Sequence, residues 1–479
     1  MACRDKNWPV FLVIASGVFL STLDSSMVNI ALPAIMAEFQ APLHKTEWVV
    51  MAYLLTISST LLFWGHISDR LGRGRFYGLG FLIFGLGAAG CAFAVSLNML
   101  ISARFSQALG AAMMMANGPA IIRQTVAPEK LGRSMGLIGV PVSLGLMCGP
   151  VAGGFLIEFF SWRALFLLSL PLSLVFAILS RSLLPPPPPL QQGGKKYDWP
   201  GAALWSLLLF TVSLSLTHWL AADISWKFTG AVIGGFLATL ALFVKIESRS
   251  AEPVLPLFLL KKRFFTIGVT SALLSFLILF FVLILIPFYL DLVLHLPPSR
   301  IGLVMMTIPL SAMLVAPVAG WLSDFSGARL LSTLGLALST LGLLLLSALG
   351  PETSPPAVAA RLALLGIGQA IFLSPNSASV LGRMGSKNSG TAAALLATAR
   401  NLGMMLGVAL AGLSFSFFFR KITGGLELKQ YAAGLEGHFC QALSSSFLLA
   451  AVAGTCAVIL SWQRPVFNRQ SRSGADVDE

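Results

Sequence analysis

The sequence predicts an all-α polytopic membrane protein with almost no room for a soluble domain, and three observations carry that prediction. Apolar residues make up 56% of the 479 and charged residues only 11%, whereas a soluble domain carries about a quarter charged residues. The mean hydropathy is +0.84. Runs of about 20 apolar residues, the length that crosses lipid as a helix, recur along the whole chain. Helices satisfy all their backbone groups internally, so they are what such runs form in a bilayer.

The first run follows Arg4 and Lys6 and extends from about Pro9 to Pro33, too long for a signal-peptide core and read as a retained span. Spans follow at about 48–67, 76–96, 98–118, 134–157 and 164–183. With the first they form an amino-terminal six-helix bundle over residues 1–184. Residues 185–200 are a linker opening on Pro185 to Pro189, which favour an extended polyproline connector. Residues 201–246 hold two inserted spans, and 247–264 a basic second linker. The carboxy-terminal bundle covers 265–463, with spans at about 265–290, 301–323, 331–349, 357–379, 390–418 and 440–462. The polar residues 464–479 are expected to be a disordered tail. Fourteen spans put both termini on one side. Most lysines and arginines fall in loops on that side, so the positive-inside rule makes both termini cytoplasmic. The formal net charge of +13 therefore speaks for membrane orientation and against a nucleic-acid partner.

One loop is unusually polar for its setting: Gly65-His66-Ile67-Ser68-Asp69-Arg70-Leu71-Gly72-Arg73-Gly74-Arg75. Its charges cannot lie in lipid, and its glycines allow a tight turn between antiparallel spans. The spacing of Gly65, Asp69, Arg70, Gly72 and Arg73 resembles the loop between the second and third helices of the major facilitator superfamily, with Gly74 separating the last two arginines. A degenerate copy, Gly320-Trp321-Leu322-Ser323-Asp324-Phe325-Ser326-Gly327, ends the second span of the later six. Two like-oriented six-helix halves match the parallel repeats of this superfamily, in which the substrate site lies between the halves. The two extra spans resemble its fourteen-helix branch, the drug:proton antiporters.

Ionisable groups inside lipid are functional candidates by default. Asp24 stands about 15 residues into the first span, about 22 Å at 1.5 Å per residue, and is the one acid read as deep within a span. Leu23-Asp24-Ser25-Ser26-Met27-Val28-Asn29-Ile30-Ala31-Leu32-Pro33 resembles the branch's first-helix motif, with Ser26 where a threonine is usual. Arg104, near the outer end of the fourth span, lies at a compatible depth. Arg104-Phe105-Ser106-Gln107-Ala108-Leu109-Gly110 is similar to the family's Arg-x-x-Gln-Gly-x-Gly, with Ala108 for its first glycine. Asp24 and Arg104 are expected to communicate directly or through water, as a proton-coupling pair or as a structural ion pair; both readings stand at this point.

Gly145, Gly149, Pro150, Gly153 and Gly154 match Gly-x-x-x-Gly-Pro-x-x-Gly-Gly, which marks antiporters in the superfamily. The glycines give a smooth packing strip and the proline bends the helix, so a flexible seal against the second half is expected. Ser161-Trp162-Arg163 and the segment from Glu252 to Phe258 also resemble this branch, while Ser169 stands where it often has asparagine. The resemblance implies that Gly65, Asp69, Arg70, Gly72, Arg73 and Asp324 form a cytoplasmic gate, Asp69 meeting the helix start near Ser389-Gly390-Thr391 and Asp324 one near Ser134. A helix amino terminus favours such a carboxylate; solvated loop acids are the competing reading.

For substrate, Gln369, Phe372 and Asn376 share a helical face, with Asn401 and Arg400 nearby by the family's topology. Phe276, Phe280 and Tyr289 are candidates for the opposite wall, and Asn29 and Gln107 complete the candidate set. Met113 to Met115, Met305, Met306, Met404 and Met405 offer adaptable surface, although packing is the commoner role for any one of them.

No Gly-x-x-x-x-Gly-Lys-Ser/Thr phosphate loop occurs, so ATP hydrolysis is not expected. The five cysteines lie far apart and the histidines form no cluster, which argues against a metal site or a metal-dependent enzyme. The expected function is a secondary active exporter in the inner (cytoplasmic) membrane, needing no cofactor and driven by a proton gradient. It would exchange protons for amphipathic drugs or toxic small molecules by alternating access, as a monomer in lipid, an adaptor subunit being left open. The alternative is an exporter or flippase of a lipid, a siderophore-like compound or another anionic metabolite. An intramembrane enzyme lacks paired catalytic groups, and a sensor would not need the antiporter glycines.

Overall fold

The computed structural model describes residues 8–125, 137, 139–184, 198–218, 226–250, 257–382, 384 and 389–465. The first linker and the tail fall largely outside them, as do residues 251–256 of the second linker. The described residues contain helices and no strand. In the first half these are α1 (Trp8–Phe39), the single turn α2 (Leu43–Thr46), α3 (Trp48–Leu71), α4 (Arg73–Ala92), α5 (Leu97–Thr125), α6 (Gly139–Phe159) and α7 (Arg163–Leu183). The inserted pair is α8 (Trp199–His218) and α9 (Trp226–Glu247). The second half holds α10 (Leu257–Leu260), α11 (Arg263–Leu292), α12 (Pro298–Met305), α13 (Thr307–Ser326), α14 (Ala328–Ser347), α15 (Pro355–Gly382), α16 (Ser389–Thr423) and α17 (Glu436–Trp462).

Over the described residues, each expected span coincides with a helix, except that at 301–323, which two helices share. Among the described residues, ten helices are long and apolar enough to cross a membrane on composition alone, or eleven if the bent run 43–71 counts as one. The long helix α5 is absent from those ten because Arg104, Gln107 and Asn117 are buried on it, which lowers its hydropathy without making it a surface helix. Helices also run past the expected ends. Pro33 lies inside α1 instead of closing it, and Pro375 lies inside α15 as it does inside the expected span; a buried neighbour can restore what the missing N–H forfeits. One expected span is split at Met306 into α12 and α13, three residues before Pro309.

The helices sort into two bundles. In the first, α4 packs on α5 and α7, α3 on α5, and α1 on α6; in the second, α11 packs on α16, and α14 on α15 and α17. Of the inserted pair, α8 lies against α3, where the Trp205 indole donates to the Ser58 carbonyl at 3.3 Å and the Ser206 hydroxyl to that of Ser59 at 3.3 Å, and α9 packs on α8. The end of the bundle where α1 starts is termed the proximal face, the other the distal face. Internal duplication is visible in the backbone: Gly72 (φ 105°) and Gly327 (φ 76°) each separate the second and third helices of their half. That left-handed conformation is open to glycine at little cost.

The halves meet toward the distal face. A side chain at Gly154 of α6 would overlap the Pro298 carbonyl at the start of α12, and one at Gly302 of α12 would overlap the Pro150 carbonyl of α6. The Ser299 amide donates to the Glu158 carboxylate at 3.0 Å across the same joint. One large apolar cluster, with Leu32, Val50, Phe281 and Phe415 among its members, spans both halves. The structure is therefore the form closed at its distal face.

A buried carboxylate–guanidinium–amide cluster

The candidate functional site begins where α1, α3 and α5 converge. Asp24 of α1 is 0% exposed and Arg104 of α5 is 1% exposed. The Arg104 Nη1 donates to Asp24 Oδ2 at 2.6 Å and to Gln107 Oε1 at 2.7 Å. The Gln107 Nε2 donates to Asp24 Oδ1 at 2.8 Å. Arg104 Nε donates to the Val49 carbonyl in the first turn of α3 at 2.9 Å. Three side chains thus form a closed ring in which each carboxylate oxygen has a donor and the guanidinium ties α1 and α5 to α3. Two aromatic rings complete the seat: the guanidinium carbon lies 4.3 Å from the Tyr53 ring centroid and 5.7 Å from that of Phe166. Cation–π attraction of this kind gains strength when desolvated.

Local packing explains how α5 brings these groups inward. Gly87 of α4 has no room for a side chain because the Gln107 backbone lies against it, and Gly110 of α5 is similarly pressed against Phe84 and the Gly80 carbonyl. The two backbones approach closely there, so Gln107 points into the bundle. This corrects the placement of Gln107 on a substrate wall: it is 0% exposed and both ends of its amide are spent on Asp24 and Arg104. Asn29, one turn and a half beyond Asp24, is also buried, and its side-chain oxygen has no hydrogen-bond partner.

In the second half, several candidate wall residues are structural ties. The Ser275 hydroxyl donates to Gln369 Oε1 at 2.7 Å, and Gln369 Nε2 returns a bond to the Ser275 carbonyl at 3.0 Å. The Asn376 amide donates to the Gly268 carbonyl at 3.1 Å, and its oxygen accepts from Arg464. Phe372 is fully buried among Ala272, Leu336, Leu396 and Ala457, and Phe280 lies in the large distal cluster. Phe372 thus faces the interior of its own half: a shared helical face says which residues are neighbours, not which way they look. Phe276 and Arg400 are only part-buried, with the guanidinium carbon 5.9 Å from the ring centroid. Arg400 Nη2 donates to the Ser377 hydroxyl at 2.7 Å, while its Nε is buried with no hydrogen-bond partner. Asn401 is buried beside it.

The proximal loop is engaged within itself. Asp69, 51% exposed, accepts from Arg73 Nε at 2.6 Å, and Arg73 Nη1 donates to the Ala120 carbonyl at 3.3 Å. The expected partner near Ser134 and residues 385–388 ahead of α16 lie outside the described residues, as do the side chains of Asp324, Ser389 and Thr391. Arg70 is exposed at the end of α3, and Gly65 has open space where a side chain would begin. The glycines of α6 divide their roles. Gly145, Gly149 and Gly153 lie against Phe19, Ser26 and Met27 of α1, whereas Pro150 and Gly154 face the second half.

Sequence reasoning missed Glu47. It precedes α3 at the polar end of a predicted span, yet it is 1% exposed and neither carboxylate oxygen has a hydrogen-bond partner. Tyr53 was also missed; its place at i+4 from Val49 was the available signal. At the distal corner, Arg163 pairs with Glu38 at 2.7 Å and donates to the Ala94 carbonyl at 3.0 Å, while Trp162 donates to Glu38 at 2.6 Å.

Comparison with known proteins now bears on these features. The Major Facilitator Superfamily model matches residues 14–261, 201–408 and 268–476. The chain is 33% identical over 456 residues, 95% of its length and 97% of the relative's, to the riboflavin transporter RibZ of Clostridioides difficile. It is 28% identical over 461 residues, 94% of its length and 89% of the relative's, to the multidrug efflux pump LfrA of Mycolicibacterium smegmatis. Among solved structures, a bacterial homologue of the human lysosomal transporter Spinster matches with a TM-score of 0.67 at 14% identity, over 96% of this chain and 97% of that one. A duplicated pair of six-helix bundles, the turn glycines that repeat with it, and a family match along nearly the whole length lead to one assignment: the chain belongs to the Major Facilitator Superfamily.

Proposed function

We propose that this transporter is a proton-coupled antiporter that exports amphipathic small molecules across the cytoplasmic membrane, with both termini and the proximal face in the cytoplasm. The observation that carries the reading is the buried ring of Asp24, Arg104 and Gln107. An arginine stays charged at any physiological pH, so the variable member is the carboxylate. A proton on Asp24 removes the negative charge that holds the guanidinium. The released Arg104 then changes its hold on the Val49 carbonyl, and so on α3, which packs against α16 of the other half. Protonation chemistry on one helix is thereby joined to the contact between halves, which is what alternating access requires. The efflux-pump relative supports export of drug-like solutes.

The test is proton movement in liposomes containing the purified protein, on addition of candidate solutes, for the wild type and Asp24→Asn. Solute-dependent proton movement that disappears in the variant is the expected result. Equal movement in both would place the proton site elsewhere, and solute flux without proton movement would make the protein a uniporter or flippase.

A second substrate class has its own observation. Arg400 forms no ion pair with a described acidic residue, and it faces the Phe276 ring. An uncompensated guanidinium beside an aromatic ring suits a planar, anionic or carbonyl-rich solute, in keeping with the riboflavin-transporting relative. Running the liposome assay with lipophilic cations and with planar anions, side by side, separates the classes.

A further inference from the structure

Glu47 has no part in the ring around Asp24. It stands about 200° around α3 from Val49, so it looks away from Arg104 and toward the other half. There its carboxylate rests on Gly412 of α16, filling the space that any side chain at 412 would need. It is thus an acid buried in the distal seam between the halves. The charged and titratable groups around it are His44 and Lys45 on the preceding turn, Arg420 two turns further along α16, and Glu427 and Lys429 in the turn beyond. Asp24 and Arg104 lie behind α3, and the one titratable residue of α8 is His218 at its distal end. None of these bonds to either Glu47 oxygen. Just distal to the seam, a small cavity is lined by His44, Ser416, Arg420 and Glu427. His44 and Ser416 stand one turn distal to Glu47 and Gly412, so the cavity lies on the distal side of the carboxylate without reaching it.

An ionised carboxylate in a dry seam with no donor is strongly disfavoured, whereas a neutral carboxylic acid fits beside a glycine. We propose that Glu47 is a second proton-binding site, filled from the distal side, whose protonated form lets α3 close on α16. The inference rests on the membrane orientation proposed above, since the proton it takes is the external one. Glu47 lies on the distal side of the closed contact, so its proton returns outward when the seam opens. It sets when the transporter resets; it does not add to the protons carried.

The experiment uses full-length protein in lipid nanodiscs, with native cysteines replaced by serine and spin labels at Val95→Cys and Glu352→Cys. Both positions are exposed on distal loops of opposite halves, and the readout is the distance between labels at pH 8 and pH 5. In the parent, acid is expected to shorten the distance. Glu47→Gln mimics the neutral acid and should hold the short distance at both pH values, abolishing the response. Gly412→Ala should lengthen it at both, because the added methyl occupies the seat of Glu47. A Glu47→Gln protein that keeps the parent's pH response overturns the proposal. So does an unchanged distance in Gly412→Ala, which decides the matter if Glu47→Gln does not fold. If the liposome assay shows no proton movement while Glu47→Gln still abolishes the acid response, the antiport reading falls and this site stands. If Asp24-dependent antiport is intact and Glu47→Gln keeps the response, this site alone falls.

Discussion

Removing Arg104 should damage the protein far more than removing Arg104 and Asp24 together. In Arg104→Gln the Asp24 carboxylate loses its one guanidinium partner at 2.6 Å, and the Val49 carbonyl loses its donor at 2.9 Å. Both side chains of the pair are sealed from water, so neither screening nor solvation makes up the loss. Breaking one side of a buried pair costs about 3–5 kcal/mol, mostly because the remaining charge is uncompensated. Asp24→Asn added to Arg104→Gln removes that charge and leaves two amides that can bond to each other and to Gln107. The coupling recovered should be about 0.5–3 kcal/mol, the range for residues within one network. The assay is the apparent melting temperature of purified single and double variants in detergent, followed by intrinsic fluorescence. The double variant should melt above Arg104→Gln, with both inactive in proton exchange. A double variant melting at or below the single one would refute the idea that uncompensated charge dominates this site.

Two further predictions concern glycines. Gly110→Ala should destabilise the first half by about 1–3 kcal/mol, the usual range for overpacking. Its methyl would press on backbone, with the Phe84 Cα at 2.8 Å, and backbone cannot step aside as a flexible side chain can; a melting temperature equal to the parent's would contradict this. Gly72→Ala must hold a β-carbon at φ 105°, at a cost of about 1–3 kcal/mol, whereas Gly65→Ala meets only open space and should be near neutral. Transport rates measured on the two variants side by side should fall for Gly72→Ala alone.

The helical architecture was legible because lipid leaves the chain so few choices: a run of about 20 apolar residues can scarcely be anything but a span. Asp24 and Arg104 were legible for the same reason, as charges standing where charge is expensive. The residues around them were harder to read. Gln107 carries a polar group that suits a solute as well as a neighbour, and only the close approach of α4 at Gly87 turns it onto Asp24. Phe372 and Asn376 do share a face with Gln369, but that face meets α11 and α14 of their own bundle. Glu47 was illegible in principle. Nothing in Lys45-Thr46-Glu47-Trp48 distinguishes it from a solvated loop acid, and its burial is produced by a glycine in the opposite half of the chain.

The crossing of α6 and α12 has a mechanical consequence. Gly154 faces a carbonyl of α12, and Gly302 faces a carbonyl of α6, so each helix presents bare backbone to the other. Interdigitated side chains resist rotation like meshed teeth, since each must leave its rotamer well before the next can slide past. Two smooth rods in contact have no such teeth. Any rolling of the halves on each other here would need little side-chain reordering and little conformational entropy lost or regained, so the joint has the build of a bearing.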